Sequence, residues 1–235
     1  MKVTRSSSSS FLFPREHSTP WSGIESLQSS CRGFLLLNLE ALTLPLAEDL
    51  LTPREAAKAG TMGPRRKKAF TAARVALKKL SRQLGLIQPD RPDRKIETLG
   101  PDGVRPCLAG SGLYCSVSHS DRFVVTVAHH HPVGVDIEAV SKKIIAISHL
   151  FLTAREQELI SKSPLTWERT ATRVWTIKES AAKVFGLHLF EALREVEVVT
   201  VDRDEGIMRY QGKVYPVRIG EGDGQVVSLI TCDGF

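Results

Sequence analysis

The sequence predicts an α+β protein made of two similar halves, each a small antiparallel sheet packed with helices. Three observations lead there. Val133, Val135 and Ile137 alternate with Gly134, Asp136 and Glu138, the period of a strand with one apolar face. Val174, Ile177, Ala181, Val184 and Phe185 recur at helical spacing, and Gly186 follows as a C-terminal cap. Leu51-Thr52-Pro53-Arg54-Glu55 is echoed by Leu152-Thr153-Ala154-Arg155-Glu156, and each carries a capping box. The echo suggests two related halves, residues 33–122 and 123–235.

The chain has 235 residues, 42% hydrophobic and 25% charged, which is enough apolar mass for one or two cores. Residues 1–32 open with Arg5 and a serine run from Ser6 to Ser10, and read as a disordered, low-complexity tail. Phe11-Leu12-Phe13 is too short for a secretory signal, and Glu16 and Glu25 argue against a transit peptide. Gly33 then opens a buried strand from Phe34 to Leu39. Thr52 caps a helix that runs to Gly60, with Pro53 at its first position. A longer helix follows from about Pro64 to Gly85, striped by Phe70, Ala73, Leu77, Leu80 and Leu84. Residues 88–112 are rich in Pro, Asp, Arg and Gly and form loops. Leu113 to Val117 is a strand ending at Ser118-His119-Ser120. Phe123 to Ala128 is expected to pair as a hairpin with Val133 to Glu138, turning at His129-His130-His131-Pro132. Three consecutive histidines do not share one face, so that turn reads as a solvated tip, not a metal site. Val196–Val201, Met208–Val214 and Val226–Thr231 read as antiparallel strands, with turns at Asp204–Gly206 and Gly220–Gly224.

The chemistry concentrates in two stretches. Asp136 and Glu138 point to one side of their strand, and Glu179 and Lys183 share a helix face. If that helix packs beside the strand, three carboxylates converge next to a lysine, a donor set that suits a hard cation such as Mg²⁺. Spacing alone favours a solvated charged surface. Arg65, Arg66, Lys67 and Lys68 crowd the start of the second helix, where the helix dipole opposes them. Such a cluster is either a solvated basic face or an anion site. The net charge of +6 allows nucleic acid, an anionic membrane, a phosphorylated ligand or an acidic protein as partner. The four cysteines lack metal-type spacing and read as free thiols of a reducing, cytoplasmic compartment. No apolar run approaches membrane-spanning length.

Gly134-Val135-Asp136-Ile137-Glu138, followed by Trp175-Thr176-Ile177-Lys178-Glu179-Ser180-Ala181-Ala182-Lys183, resembles the paired signature of the 4′-phosphopantetheinyl transferases. Ser116-Val117-Ser118-His119-Ser120 resembles a third motif of that family, in the right order. The resemblance covers roughly residues 34 to 230 and points to the long, single-chain, surfactin-synthetase-activating class. It implies a ligand cleft between the two halves and transfer of the phosphopantetheine arm of coenzyme A to a serine of an acidic carrier protein. Asp136, Glu138 and Glu179 would hold Mg²⁺. Ser118, His119 and Lys183 would meet the pyrophosphate. Glu179, Lys183 and His119 would be catalytic. Arg66, Arg74 and Arg105 would bind coenzyme A: Phe70-Thr71-Ala72-Ala73-Arg74 resembles a family helix pattern with Ala73 for Gly, and Gly103-Val104-Arg105-Pro106 resembles a family turn with Arg for Lys. A monomer that binds neither nucleic acid nor membrane is expected. The rivals are an inactive or non-catalytic relative and a metal-dependent nucleic-acid-processing enzyme.

Overall fold

A computed structural model describes residues 21–41, 47–108 and 110–232. The elements in order are α1 (Ile24–Ser29), β1 (Gly33–Asn38), α2 (Pro53–Gly60), α3 (Pro64–Gln83), β2 (Tyr114–His119), β3 (Phe123–His129), β4 (Val133–Ala139), α4 (Lys143–Ile147), α5 (Ala154–Ser161), α6 (Trp167–Phe185), α7 (Leu189–Glu195), β5 (Glu197–Val201), β6 (Glu205–Tyr210), β7 (Lys213–Gly222) and β8 (Gln225–Thr231). Two antiparallel sheets form, with strand orders β1-β3-β2 and β4-β8-β7-β6-β5. The order β1-β3-β2 is repeated by β4-β8-β7, which is the predicted likeness of the two halves; β6 and β5 extend the second sheet.

Side-chain alternation sorts the strands into layers. Leu35, Leu37, Val124 and Ala128 face α3 together with Leu77 and Leu80. Leu36, Val125 and Val127 face the other way and meet Val133, Val135, Ile137, Val227 and Leu229. On the far side of the second sheet Val226, Ile230 and Val217 pack on Val174, Ile177 and Ala181 of α6. The layers are therefore helix, sheet, sheet, helix, with an apolar seam between the sheets.

The expected hairpin between β3 and β4 does not form. A strand has two edges, and β1 and β2 occupy both edges of β3. β4 pairs with β8 instead, and the turn at 130–132 carries the chain from one sheet to the other. The first sheet thus runs to His129, past the 122/123 boundary drawn from the sequence. Residues 21–32, expected in a disordered tail, are packed; residues 1–20 lie outside the described residues. Leu27 is fully buried, Trp21 stacks edge-on to Phe123, and Ser22 exchanges backbone hydrogen bonds with Glu221 of β7. The strand predicted over 208–214 is cut by a tight turn at Gln211-Gly212, both at positive φ. Gly206, Gly220 and Gly222 lie within strands, and the later turn is Asp223-Gly224.

Each half is braced by a buried ion pair of the same design. Thr52 and Thr153 cap α2 and α5, with Glu55 and Glu156 closing the capping boxes. Lys78 of α3 donates to Glu55 Oε2 at 2.6 Å and to Leu50 O, and Lys178 of α6 donates to Glu156 Oε2 at 2.9 Å and to Phe151 O at 2.7 Å. The second glutamate oxygen accepts the backbone N–H of Thr98 in one half and of Val198 in the other. All four side chains are shut off from solvent. Deleting one partner would strand a buried charge, at a cost of about 3–5 kcal/mol.

Candidate functional site

Gly134, Asp136 and Glu138 share the face of β4 that looks at α6, because Val133, Val135 and Ile137 face the inter-sheet seam. Gly134 lets the helix come close: a Cβ there would lie 2.0 Å from Ser180 O and 2.9 Å from Val184 N. Ser180 adds a hydroxyl contact of 2.8 Å to Ser228 Oγ on β8. This close approach brings Lys183 onto the strand, where Nζ donates to Asp136 Oδ1 at 2.8 Å and to Val135 O at 2.9 Å.

Asp136 is only 3% exposed, so the solvated-surface reading fails for it. It is held from β2 as well, since Ser118 Oγ donates to Asp136 Oδ1 at 2.6 Å. Ser116, two residues earlier on the same face, accepts Val135 N–H at 3.1 Å. Two hydroxyls therefore bridge β2 to β4, and Ser118 sits buried on Asp136.

Burial pushes Glu179 up to about 7, with Asp136 adding to the rise, Lys183 opposing it and Glu138 adding further. Burial also raises Glu138, opposed by the Ala139 N–H it accepts, with a smaller upward push from Asp136. His119 is lowered by burial first and by Lys183 second, which favours neutral imidazole. Asp136, Glu138, Glu179, Lys183 and His119 thus share one electrostatic neighbourhood. Among the described residues, no three His, Cys, Asp or Glu side chains are gathered so as to hold a metal ion as they stand. The expected three-carboxylate convergence is incomplete. Like charges repel, and the ammonium of Lys183 together with Ser118 takes the Asp136 oxygen.

Beside this cluster lies a cavity of about 410 Å³ whose walls include Arg65, Arg66, Lys68, His119, Ser120, Asp121 and Glu138. The basic start of α3 and the acidic end of β4 thus open into one space, with His119 between them. Arg74 and Arg105 do not line it. Arg74 is buried, with Nη1 on Thr98 O at 2.7 Å and its guanidinium over the Phe70 ring. Arg105 is exposed beside Asp102, and its loop is pinned by Lys58 on Gly103 O and by Arg54 on Pro101 O. Asp121, not singled out from the sequence, pairs with Arg65 at 2.6 Å; only its place directly after Ser120 hinted at it. A larger cavity of about 590 Å³ near Arg169, Arg173 and Glu221 holds none of the predicted residues, and Glu221 there is neutralised by both arginines.

Comparison with known proteins bears on the half that carries these motifs. Residues 132–229 match the 4′-phosphopantetheinyl transferase superfamily. Over that span, less than half of its length, the chain is similar to the superfamily. It is similar to 4′-phosphopantetheinyl transferase gsp of Aneurinibacillus migulanus, 32% identical over 110 residues, 46% of each chain. It is 35% identical to 4′-phosphopantetheinyl transferase psf-1 of Bacillus pumilus over 75 residues, 32% of each. A longer likeness, 22% over 188 residues, covers 79% of this chain and 87% of enterobactin synthase component D of Escherichia coli O157:H7. The chain thus spans about half the length of gsp and most of the length of the enterobactin protein. The residues that carry this likeness, Asp136, Glu138, Glu179 and Lys183, stand on β4 and α6, the pair of elements that Gly134 brings into contact.

Proposed function

We propose that this chain transfers the 4′-phosphopantetheine arm of coenzyme A to a serine of an apo carrier protein, with Mg²⁺, releasing adenosine 3′,5′-bisphosphate. The observation that carries the reading is the shared cavity, in which Arg66, Lys68 and His119 face Glu138 while Asp136, Glu179 and Lys183 stand just behind. Phosphoryl transfer asks a protein mainly for positioning and for neutralising charge. Arg66 and Lys68 supply positive charge for the phosphates of coenzyme A, beside Arg65, whose charge Asp121 offsets. His119 offers a hydrogen bond at the cavity wall.

The donor set of Asp136, Glu138 and Glu179 is all oxygen, which fits Mg²⁺. Such an ion, when bound, supplies charge neutralisation at the pyrophosphate. Lys183 holds Asp136 in place and presents a positive charge where the leaving group gains negative charge. Glu179, in the same neighbourhood as Asp136 and Lys183, would take the serine proton, directly or through a water molecule. Ser118 orients Asp136.

The test is intact-protein mass spectrometry of an apo carrier protein incubated with the chain, coenzyme A and Mg²⁺, with and without EDTA. A phosphopantetheine-sized gain that EDTA abolishes is expected. No gain across fatty-acid, polyketide and peptide carriers would overturn the reading. Salt-sensitive nucleic-acid binding without coenzyme A binding would favour the nucleic-acid rival.

A further inference from the structure

The mechanism above leaves two charged side chains unused, and they are among the most buried in the molecule. Lys178 directly precedes Glu179. Its ammonium has three N–H groups. They go to Phe151 O at 2.7 Å, Glu156 Oε2 at 2.9 Å and Leu193 O at 3.1 Å. These acceptors belong to the turn before α5, to α5 and to α7, none of which carries a candidate site residue. Other faces of α6 carry polar ties too, from Arg173 to Glu221 and to the carbonyls of Asp202 and Arg203, from Ser180 to Ser228 and from Lys183 to Asp136; Lys178 supplies the buried polar ties on the face toward α5 and α7. Glu179 stands about 100° further round that axis. Lys183 stands one turn beyond Glu179 and reaches Asp136.

Lys78 makes the matching contacts in the first half, to Glu55 and Leu50 O. Its helix carries Arg65, Arg66 and Lys68 at the cavity instead of carboxylates. The same brace is therefore attached to two different working ends.

We propose that Lys178 is a positioning residue that fixes the rotational setting of α6 and so the placing of Glu179 and Lys183, while Lys78 does the same for the coenzyme A-facing start of α3. This rests on the transferase reading. A helix with side chains has a radius of about 5–6 Å, so a rotation of roughly 20° moves a side-chain tip by about 2 Å. A shift of about 1 Å is enough to lower a rate by about 100-fold.

The test compares steady-state constants of the wild type with two double variants that leave no stranded charge. These are Lys178→Met with Glu156→Gln, and Lys78→Met with Glu55→Gln; Gln keeps a capping-box side chain in place. Assays run with coenzyme A, Mg²⁺ and an apo carrier, well below each variant's melting temperature. The Lys178 pair is expected to lose roughly 10–100-fold in kcat with little change in KM for coenzyme A. The Lys78 pair is expected to raise that KM with a smaller change in kcat. The rise in melting temperature on adding Mg²⁺, a readout independent of turnover, should shrink in the Lys178 pair only. Should that pair fail to fold, Lys178→Arg, which keeps the buried charge paired with Glu156 but changes the donor geometry, is expected to show the same kcat-weighted loss, smaller in size. Variants that only melt earlier, or two pairs that lose the same constant equally, overturn the inference and leave the transferase reading intact. A wild type that modifies no carrier sinks both.

Discussion

Asp136 is gripped from two sides, by Ser118 of one sheet and Lys183 of the helix behind it. Asp136→Ala removes an oxygen donor and frees Lys183, which is 30% exposed and can turn to water. Transfer should fall by at least about 100-fold while the melting temperature changes little; near-normal turnover would show that the oxygen is not used. Glu179 allows a test by pH. Its folded value of about 7 lies above the ordinary 4.5, so the folded state holds that proton more tightly than the unfolded chain does. The associated stability is fully present below about 4.5 and is lost as pH climbs through 7. In Mg²⁺-free buffer, Glu179→Gln should therefore gain stability relative to the wild type between pH 5 and pH 8. A pH-independent difference in melting temperature would show that burial does not raise Glu179 in the metal-free chain. The two stretches that carry Asp136, Glu138, Glu179 and Lys183 were readable because period-two and period-3.6 spacings fix which side chains share a face. Who binds whom within them was not. Ser118 reads as a phosphate contact from its motif, and only the packing of β2 against β4 shows its hydroxyl on Asp136. Arg74 matches a motif too, yet it is buried on a loop carbonyl.

β4 and α6 form the working pair of elements, and Gly134 sets their spacing. Gly134→Ala would drive a methyl into the Ser180 carbonyl, which is backbone and does not yield as a side chain would. A cost of about 1–3 kcal/mol is expected, with loss of transfer because Asp136 moves away from Glu179 and Lys183. Denaturant unfolding measures the first and the mass assay the second; a neutral effect on both would mean that the helix can back away freely. The longer helices were easy to read, since capping boxes and Gly186 mark their ends, whereas the short α1, α4 and α7 went unread. Strands of the second sheet were harder. Gln211-Gly212 splits one expected strand because a two-residue turn needs positive φ, and Gln is not a usual signal for it. The false hairpin came from treating neighbours in sequence as neighbours in a sheet, when β3 had no edge left to offer.

At the scale of the molecule, a basic cavity meets an acidic cluster across the seam of two similar halves. Exposed cations such as Arg66 are screened by salt, with a Debye length of about 10 Å at 0.1 M. Raising NaCl from 50 to 300 mM should increase KM for coenzyme A several-fold while kcat changes less. A flat KM would mean that the phosphates are held elsewhere. The likeness of the halves was legible from the repeated capping boxes; the buried lysines that complete each brace were not, because a lysine in a helix ordinarily reads as surface.

The opening segment has a consequence for how the chain can be cut. Trp21, Ser22 and Leu27 precede β1, yet they lie on Gly222, Glu221 and Gly220 of β7 in the other half. The described segment before β1 therefore fastens onto a strand that is made last but one. If the backbone is severed at the 130–132 turn, each piece keeps its own sheet, and the earlier piece carries an arm whose socket is on the later one. Two such pieces, produced separately and mixed, should reassemble into one particle on gel filtration, whereas an earlier piece starting at Gly33, left with the apolar seam and the β2–β4 bridges, should reassemble more weakly. That makes the arm a handle for building a split reporter from this fold.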